Sequence, residues 1–120
     1  MRKNFLVEDD HSIREVLEIV LSAENYEVQA FSTVSEFTQR NAKIEPDLYI
    51  FDVMLPDGSG IDLCKEIKKN SQNNNVPVII MSAHAHLQEI SEICKPDFFI
   101  PKPFDIDQLL QKVQQVIELK

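Results

Sequence analysis

The stretch Leu48-Tyr49-Ile50-Phe51-Asp52-Val53-Met54-Leu55-Pro56-Asp57-Gly58-Ser59-Gly60 decides the fold. Four apolar residues in a row, closed by a carboxylate and followed by turn residues, read as a strand buried on both faces whose end carries charge. The chain opens on a run of the same kind, Phe5-Leu6-Val7, which ends in Glu8-Asp9-Asp10. In open α/β sheets the ligand crevice lies at the carboxyl ends of the strands, so both acidic clusters are expected to line one crevice. Crowded carboxylates raise one another's pKa unless a cation sits among them. The donors are all oxygen, which suits a hard ion such as Mg2+ and speaks against zinc.

Outward from these two runs, short apolar segments alternate with segments of helical period, the pattern of parallel strands joined by crossover helices. The first strand is expected over about Asn4 to Val7. A helix carrying Ile13, Val16, Leu17, Val20 and Leu21 inward follows, started by Ser12 or His11. Tyr26 to Phe31 reads as the second strand, and Ser35 as the cap of a short helix that buries Phe37. After the third strand and its loop, Ile61, Leu63, Cys64 and Ile67 mark a third helix that dissolves in the polar run Asn70 to Asn75. Val76 to Met81 is the fourth strand, Leu87 to Ile93 a short fourth helix, Phe98 to Ile100 the fifth strand, and Ile106 to Leu119 the last helix. The right-handed crossover rule then leaves one sheet with helices on both faces.

At 120 residues and 43% apolar content the chain suits one domain with a sizeable core. Twelve Lys and Arg against 20 Asp and Glu give a net charge of −8, which argues against direct nucleic-acid binding. The opening apolar run is far too short for a signal peptide or a membrane span, so a cytoplasmic chain is expected. Cys64 and Cys94 share no motif with each other or with histidine, and read as packing residues rather than a disulfide. His84 and His86 read as polar loop residues.

Five separated signals resemble the receiver domains of bacterial two-component response regulators, over essentially the whole chain. They are Val7-Glu8-Asp9-Asp10, Asp52-Val53-Met54-Leu55-Pro56 with Gly60, Ser82-Ala83, Phe99, and Lys102-Pro103-Phe104. Each alone is weak, but they fall in order and at strand ends. The resemblance implies a single receiver domain over residues 1–120. Its fold would be a flavodoxin-like three-layer α/β/α sandwich, with a five-stranded parallel sheet ordered 2-1-3-4-5 and five helices. It implies that Asp52 accepts a phosphoryl group from a sensor histidine kinase, a phosphotransfer protein or a small phosphodonor. A carboxylate attacking an anionic phosphorus needs a cation and positive donors to take up the charge. Asp9, Asp52 and the backbone carbonyl of Met54 are the implied direct Mg2+ ligands, with Glu8 acting through water. Lys102, the Ser82 hydroxyl and backbone amides near Met54 and Ala83 would take the phosphoryl oxygens. Ser82 and Phe99 would form the switch that changes the surface of the fourth helix, fifth strand and fifth helix, and Lys102-Pro103 is implied to be cis. Such a chain promotes only its own phosphorylation and dephosphorylation, and is expected to be a monomer or weak dimer with an unidentified downstream protein target.

Other readings fit less well. A flavin carrier of the same fold needs a donor-lined phosphate loop where Glu8-Asp9-Asp10 would repel the ligand. A phosphatase with an aspartate nucleophile would carry a second aspartate where Met54 stands. The alternative within the resemblance is a phosphate-independent, receiver-like interaction module. Two departures bear on partners. Asp97-Phe98 replaces the paired acidic residues common ahead of the switch aromatic, which puts a dimer of charge pairs in doubt and leaves Phe98 as a docking patch if it is exposed. The Ser82 to Lys102 interval is also short, so a reduced fourth helix is expected.

Overall fold

The computed structural model describes residues 2–41, 43–69, 75–83 and 94–118. Strand β1 (Lys3–Val7) leads to α1 (His11–Ala23), β2 (Glu27–Phe31) to α2 (Val34–Thr38), and β3 (Leu48–Asp52) to α3 (Gly60–Lys69). Then come β4 (Val78–Ser82), β5 (Phe98–Pro101) and the C-terminal helix (Ile106–Glu118). The five strands form one parallel sheet in the order β2-β1-β3-β4-β5, as expected. Four helices lie among the described residues. The expected fourth helix, with His84 and His86, and most of the polar run after Lys69 lie outside them.

Alternation along each strand divides the core in two. Phe5, Val7, Tyr49, Phe51, Val78 and Ile80 face α2 and α3, packing on Phe37, Leu63, Cys64 and Ile67. Leu6, Leu48, Ile50, Ile79, Met81 and Ile100 face α1 and the C-terminal helix, meeting Leu17, Leu21, Leu109 and Val113. The chain is therefore a three-layer sandwich whose central strand β3 is buried at every position. Phe5, Phe31, Phe37, Tyr49 and Phe51 meet largely edge to face, with centroids 5.3 to 6.0 Å apart. Cys64 and Cys94 are both buried and unbridged, the packing role expected of them.

Several local expectations need correction. Helix α2 is capped by Thr33 rather than Ser35, because the cap must keep extended backbone while its side chain reaches forward three residues. Helix α1 starts at His11, one of the two residues expected to start it, and its cap is Asp10, whose carboxylate accepts from the Ile13 amide at 3.0 Å. Val16 is 39% exposed, so the buried stripe of α1 is narrower than its apolar residues suggested. Phe98 is not an open patch: it is half-buried, packs against the C-terminal-helix side of the core, and carries the Lys112 ammonium 4.6 Å above its ring. Asp97 is exposed, and its carboxylate accepts from the Val78 amide and from Lys68 at 2.8 and 2.7 Å.

Candidate functional site

The register of the parallel sheet brings the two acidic ends together. Val7 pairs with Phe51, so Glu8 and Asp52 leave adjacent strands at the same level. Glu8 is fully buried, Asp52 is nearly so, and Asp9 is exposed. One carboxylate oxygen from each of Glu8, Asp9 and Asp52 lies within 4.8 Å of the others, a donor set of oxygens that fits a hard divalent cation. Burial pushes the Glu8 carboxyl above its ordinary value, with the Asp52 charge adding to the rise and Lys102 opposing it. The Asp52 carboxyl is raised in the same way, by burial first, against the pull of Lys102 and with Asp9 adding to the rise. The site thus carries more negative charge than its one lysine offsets, which is what a bound cation would relieve.

Lys102 reaches over the crevice from the end of β5. Its ammonium is 2.8 Å from Glu8 Oε2 and 3.2 Å from Asp52 Oδ1. Burial works against this charge, but the hydrogen bonds and charges of Glu8 and Asp52 outweigh it and hold the ammonium above the ordinary lysine range. The Lys102-Pro103 peptide is cis, and the Lys102 amide donates to the Ser82 carbonyl at 2.8 Å. Ser82 ends β4, is 3% exposed, and follows Met81, the register partner of Asp52. Ala83 is exposed and, with Ile13, Lys102, Pro103 and Phe104, lines a shallow apolar cavity of about 390 Å³ beside the crevice. Phe99 is half-buried against the α2–α3 side of the core.

The loop after Asp52 is built rather than slack. Met54–Leu55 pairs with Gly58–Ser59 in a short antiparallel ladder, and Met54, two residues after Asp52, is 68% exposed at its rim. The Asp57 carboxylate accepts from the Val34 and Ser35 amides at 2.8 and 2.9 Å, tying the loop to the start of α2. Those two bonds hold the Asp57 carboxyl below its ordinary value. Gly60 donates its amide to the Val53 carbonyl, and a Cβ there would fall 2.0 Å from the Asp52 carbonyl oxygen, so the backbone of α3 is pressed against that of Asp52.

All eight residues named from the sequence therefore fall at the carboxyl end of the sheet or just beside it. Glu8, Asp9, Asp52 and Lys102 form one cluster, Ser82, Ala83 and Met54 rim it, and Phe99 lies inside β5, three residues before Lys102. Two residues were missed. Asp57 read only as a turn residue, and its partners lie 22 and 23 positions away. Arg14, which bonds to the Glu8 and Asp9 carbonyls, had a signal: a cation one turn into a helix that begins at an acidic cluster.

A parallel α/β sandwich with an acidic pocket and a lysine at its strand ends has the fold and the site residues that the resemblance to receiver domains implies. The chain belongs to the response regulator receiver domain family, which it matches over residues 5–114. It is 36% identical over 115 residues to the DNA-binding transcriptional regulator NtrC of Proteus hauseri, covering 94% of this chain and 24% of that one. It is 34% identical over 119 residues to the sensory transduction protein BceR of Halalkalibacterium halodurans, covering 98% of this chain and 50% of that one. The chain thus spans a quarter to a half of the length of these relatives. Among solved structures it is similar to the non-phosphorylated HemR receiver domain of Leptospira biflexa, with TM-score 0.89 and 33% identity over 100% of this chain and 97% of that one. It is also similar to the response regulator TrrA of Thermotoga maritima in complex with Mg2+-BeF, with TM-score 0.84 and 28% identity over 97% of this chain and 99% of that one. Receiver domains serve phosphorelay signalling and are not enzymes in the ordinary sense. No helix among the described residues is long and apolar enough to cross a membrane.

Proposed function

We propose that residues 1–120 form a single receiver domain whose Asp52 accepts a phosphoryl group from a sensor histidine kinase, a phosphotransfer protein or a small phosphodonor. The observation that carries this reading is the grouping of Glu8, Asp9 and Asp52 within 4.8 Å, with Lys102 on Glu8 and Asp52. An Asp52 carboxylate oxygen attacks phosphorus in line, the bond from phosphorus to the donor breaks, and the leaving group takes up a proton. Asp9, Asp52 and the Met54 carbonyl are the residues to hold Mg2+, with Glu8 through water. The bound ion supplies positive charge that offsets the repulsion between carboxylate and phosphoryl group.

Lys102 then exchanges carboxylate partners for a phosphoryl oxygen, acting as a point charge. The Ser82 hydroxyl and the amides near Met54 and Ala83 bond the remaining oxygens. Ser82 moving toward the anion frees space for Phe99 to turn, which alters the surface of β5, the C-terminal helix and the segment between β4 and β5. The phosphoryl group shifts this two-state equilibrium only as far as it binds one state better than the other. The domain promotes its own phosphorylation and dephosphorylation alone. It works in the cytoplasm as a monomer or weak dimer, does not bind nucleic acid itself, and passes its state to a protein target.

Incubation with acetyl phosphate, read by intact mass with and without Mg2+ and beside Asp52→Ala, tests this reading. One adduct that needs both Mg2+ and Asp52 supports it. A folded chain that binds Mg2+ and takes no phosphoryl group from any donor favours the phosphate-independent module.

A further inference from the structure

Arg14 lies one turn into α1, and its guanidinium folds back over the acidic turn. Nη1 donates to the Glu8 carbonyl at 2.9 Å and to the Asp9 carbonyl at 3.3 Å, while Nη2 is 3.2 Å from His11 Nδ1. The fork therefore reaches two of the three residues that lead from β1 into α1, Glu8 and Asp9, and the first residue of the helix itself. Glu8 has other anchors, since its amide donates to the Phe31 carbonyl and its carboxylate accepts from the Asp10 amide and from Lys102. Asp9 is exposed, so packing does not aim its side chain. What holds Asp9 is its peptide group, and Arg14 grips the carbonyl of that group.

We infer that Arg14 is a positioning residue for the cation site, presenting the Glu8 and Asp9 carboxylates by fixing the peptide groups that carry them. This rests on the reading that those carboxylates hold Mg2+. The bonds of Arg14 run to main-chain carbonyls and an imidazole and engage no carboxylate oxygen of the site. Groups that orient ligands in this way typically change metal affinity 10- to 100-fold when removed. The sign of the effect separates positioning from charge. A guanidinium beside a cation site repels the cation, so if Arg14 acted only as a charge, Arg14→Ala would bind Mg2+ more tightly. Positioning predicts the reverse. It also predicts that lysine is no substitute, because a single ammonium on a flexible stem cannot reproduce a planar fork spread over three acceptors.

The test is a calorimetric Mg2+ titration of the unphosphorylated full chain, wild type beside Arg14→Ala and Arg14→Lys, with thermal melts in EDTA and acetyl phosphate labelling across Mg2+ concentrations. The expected result is Mg2+ affinity weakened by about tenfold or more in both variants. EDTA melts should stay close to wild type, and labelling should need more Mg2+ but reach the wild-type plateau. Arg14→Lys keeps the charge and the aliphatic stem, and carries the test if Arg14→Ala does not fold. Equal or tighter Mg2+ binding in the variants, or full recovery with lysine, overturns the positioning role. So does a lowered EDTA melt with a lost plateau, which would make Arg14 a prop of the fold. A wild-type chain that binds no Mg2+ overturns the metal reading itself.

Discussion

The Lys102 ammonium lies 2.8 Å from Glu8 Oε2, a pair between the last strand end and the first in which Glu8 is fully buried and Lys102 half-buried. Asp52, 3.2 Å away on its other side, shares the same lysine. One cation thus serves two buried carboxyls, both raised above their ordinary values by burial.

Those raised values fix a pH dependence. A carboxyl that holds its proton more firmly in the folded chain contributes most to stability in acid. That contribution falls as pH rises from the unfolded values near 4 through the folded ones. Glu8→Gln and Asp52→Asn should therefore each raise the Tm of the Mg2+-free protein at pH 7.5 by roughly 2–5 °C, with the gain closing toward pH 4. Melts in EDTA across that range check this, and a gain that does not depend on pH would refute it. Lys102→Met should do the opposite at neutral pH, losing about 3 kcal/mol because it strands two buried carboxylates.

Gly60 touches the backbone of Asp52 so closely that any side chain overlaps it. Gly60→Ala should cost about 2 kcal/mol or more by urea unfolding, and slow Asp52 phosphorylation even where the chain still folds. A variant as stable and as reactive as wild type would show that the loop yields freely.

Asn4 is fully buried in β1, between register partners Val28 and Leu48, and neither of its side-chain polar atoms has a hydrogen-bond partner among the described residues. Burying an unsatisfied amide costs about 1–3 kcal/mol. Asn4→Val should therefore stabilise the fold by about 1 kcal/mol without altering phosphorylation, since it lies four residues from the acidic turn. Denaturant midpoints would show it, and a fall in stability would mean that the amide has a partner.

Met54 stands two residues after Asp52 and is 68% exposed, and we propose that its apolar side chain hinders the in-line approach of water to an aspartyl phosphate there. Met54→Asn should shorten the lifetime of the aspartyl phosphate by about tenfold, equivalent to about 1.4 kcal/mol in the barrier. Decay followed by intact mass measures this, and an unchanged rate removes Met54 from the account.

The sheet was legible because buried parallel strands are written as unbroken apolar runs, and the site because its charges stand where those runs end. Glu8, Asp9 and Asp52 are readable in that way, and Lys102 through the resemblance carried by Lys102-Pro103-Phe104. The caps were not, since Asp10 reads as a third member of the acidic cluster and only the backbone shows that its carboxylate belongs to α1. Asp57 on α2 and Asp97 on Lys68 and β4 escaped for another reason: their partners are 19 to 29 positions distant, and no local pattern encodes such a pairing. Whether Phe98 is exposed was left open, because the alternation of a strand says which face a residue takes, while the Lys112 over its ring comes from another element.

The central claim is that Asp52 itself carries the phosphoryl group. Hydride reduction of the acetyl phosphate-treated protein converts an acyl phosphate to an alcohol, and peptide mapping then locates the reduced side chain. Homoserine is expected at position 52, dependent on Mg2+ and abolished by Lys102→Met. Reduction at Asp9, at Asp57 or on no carboxylate at all, in a chain that has taken up the phosphoryl group, would contradict it.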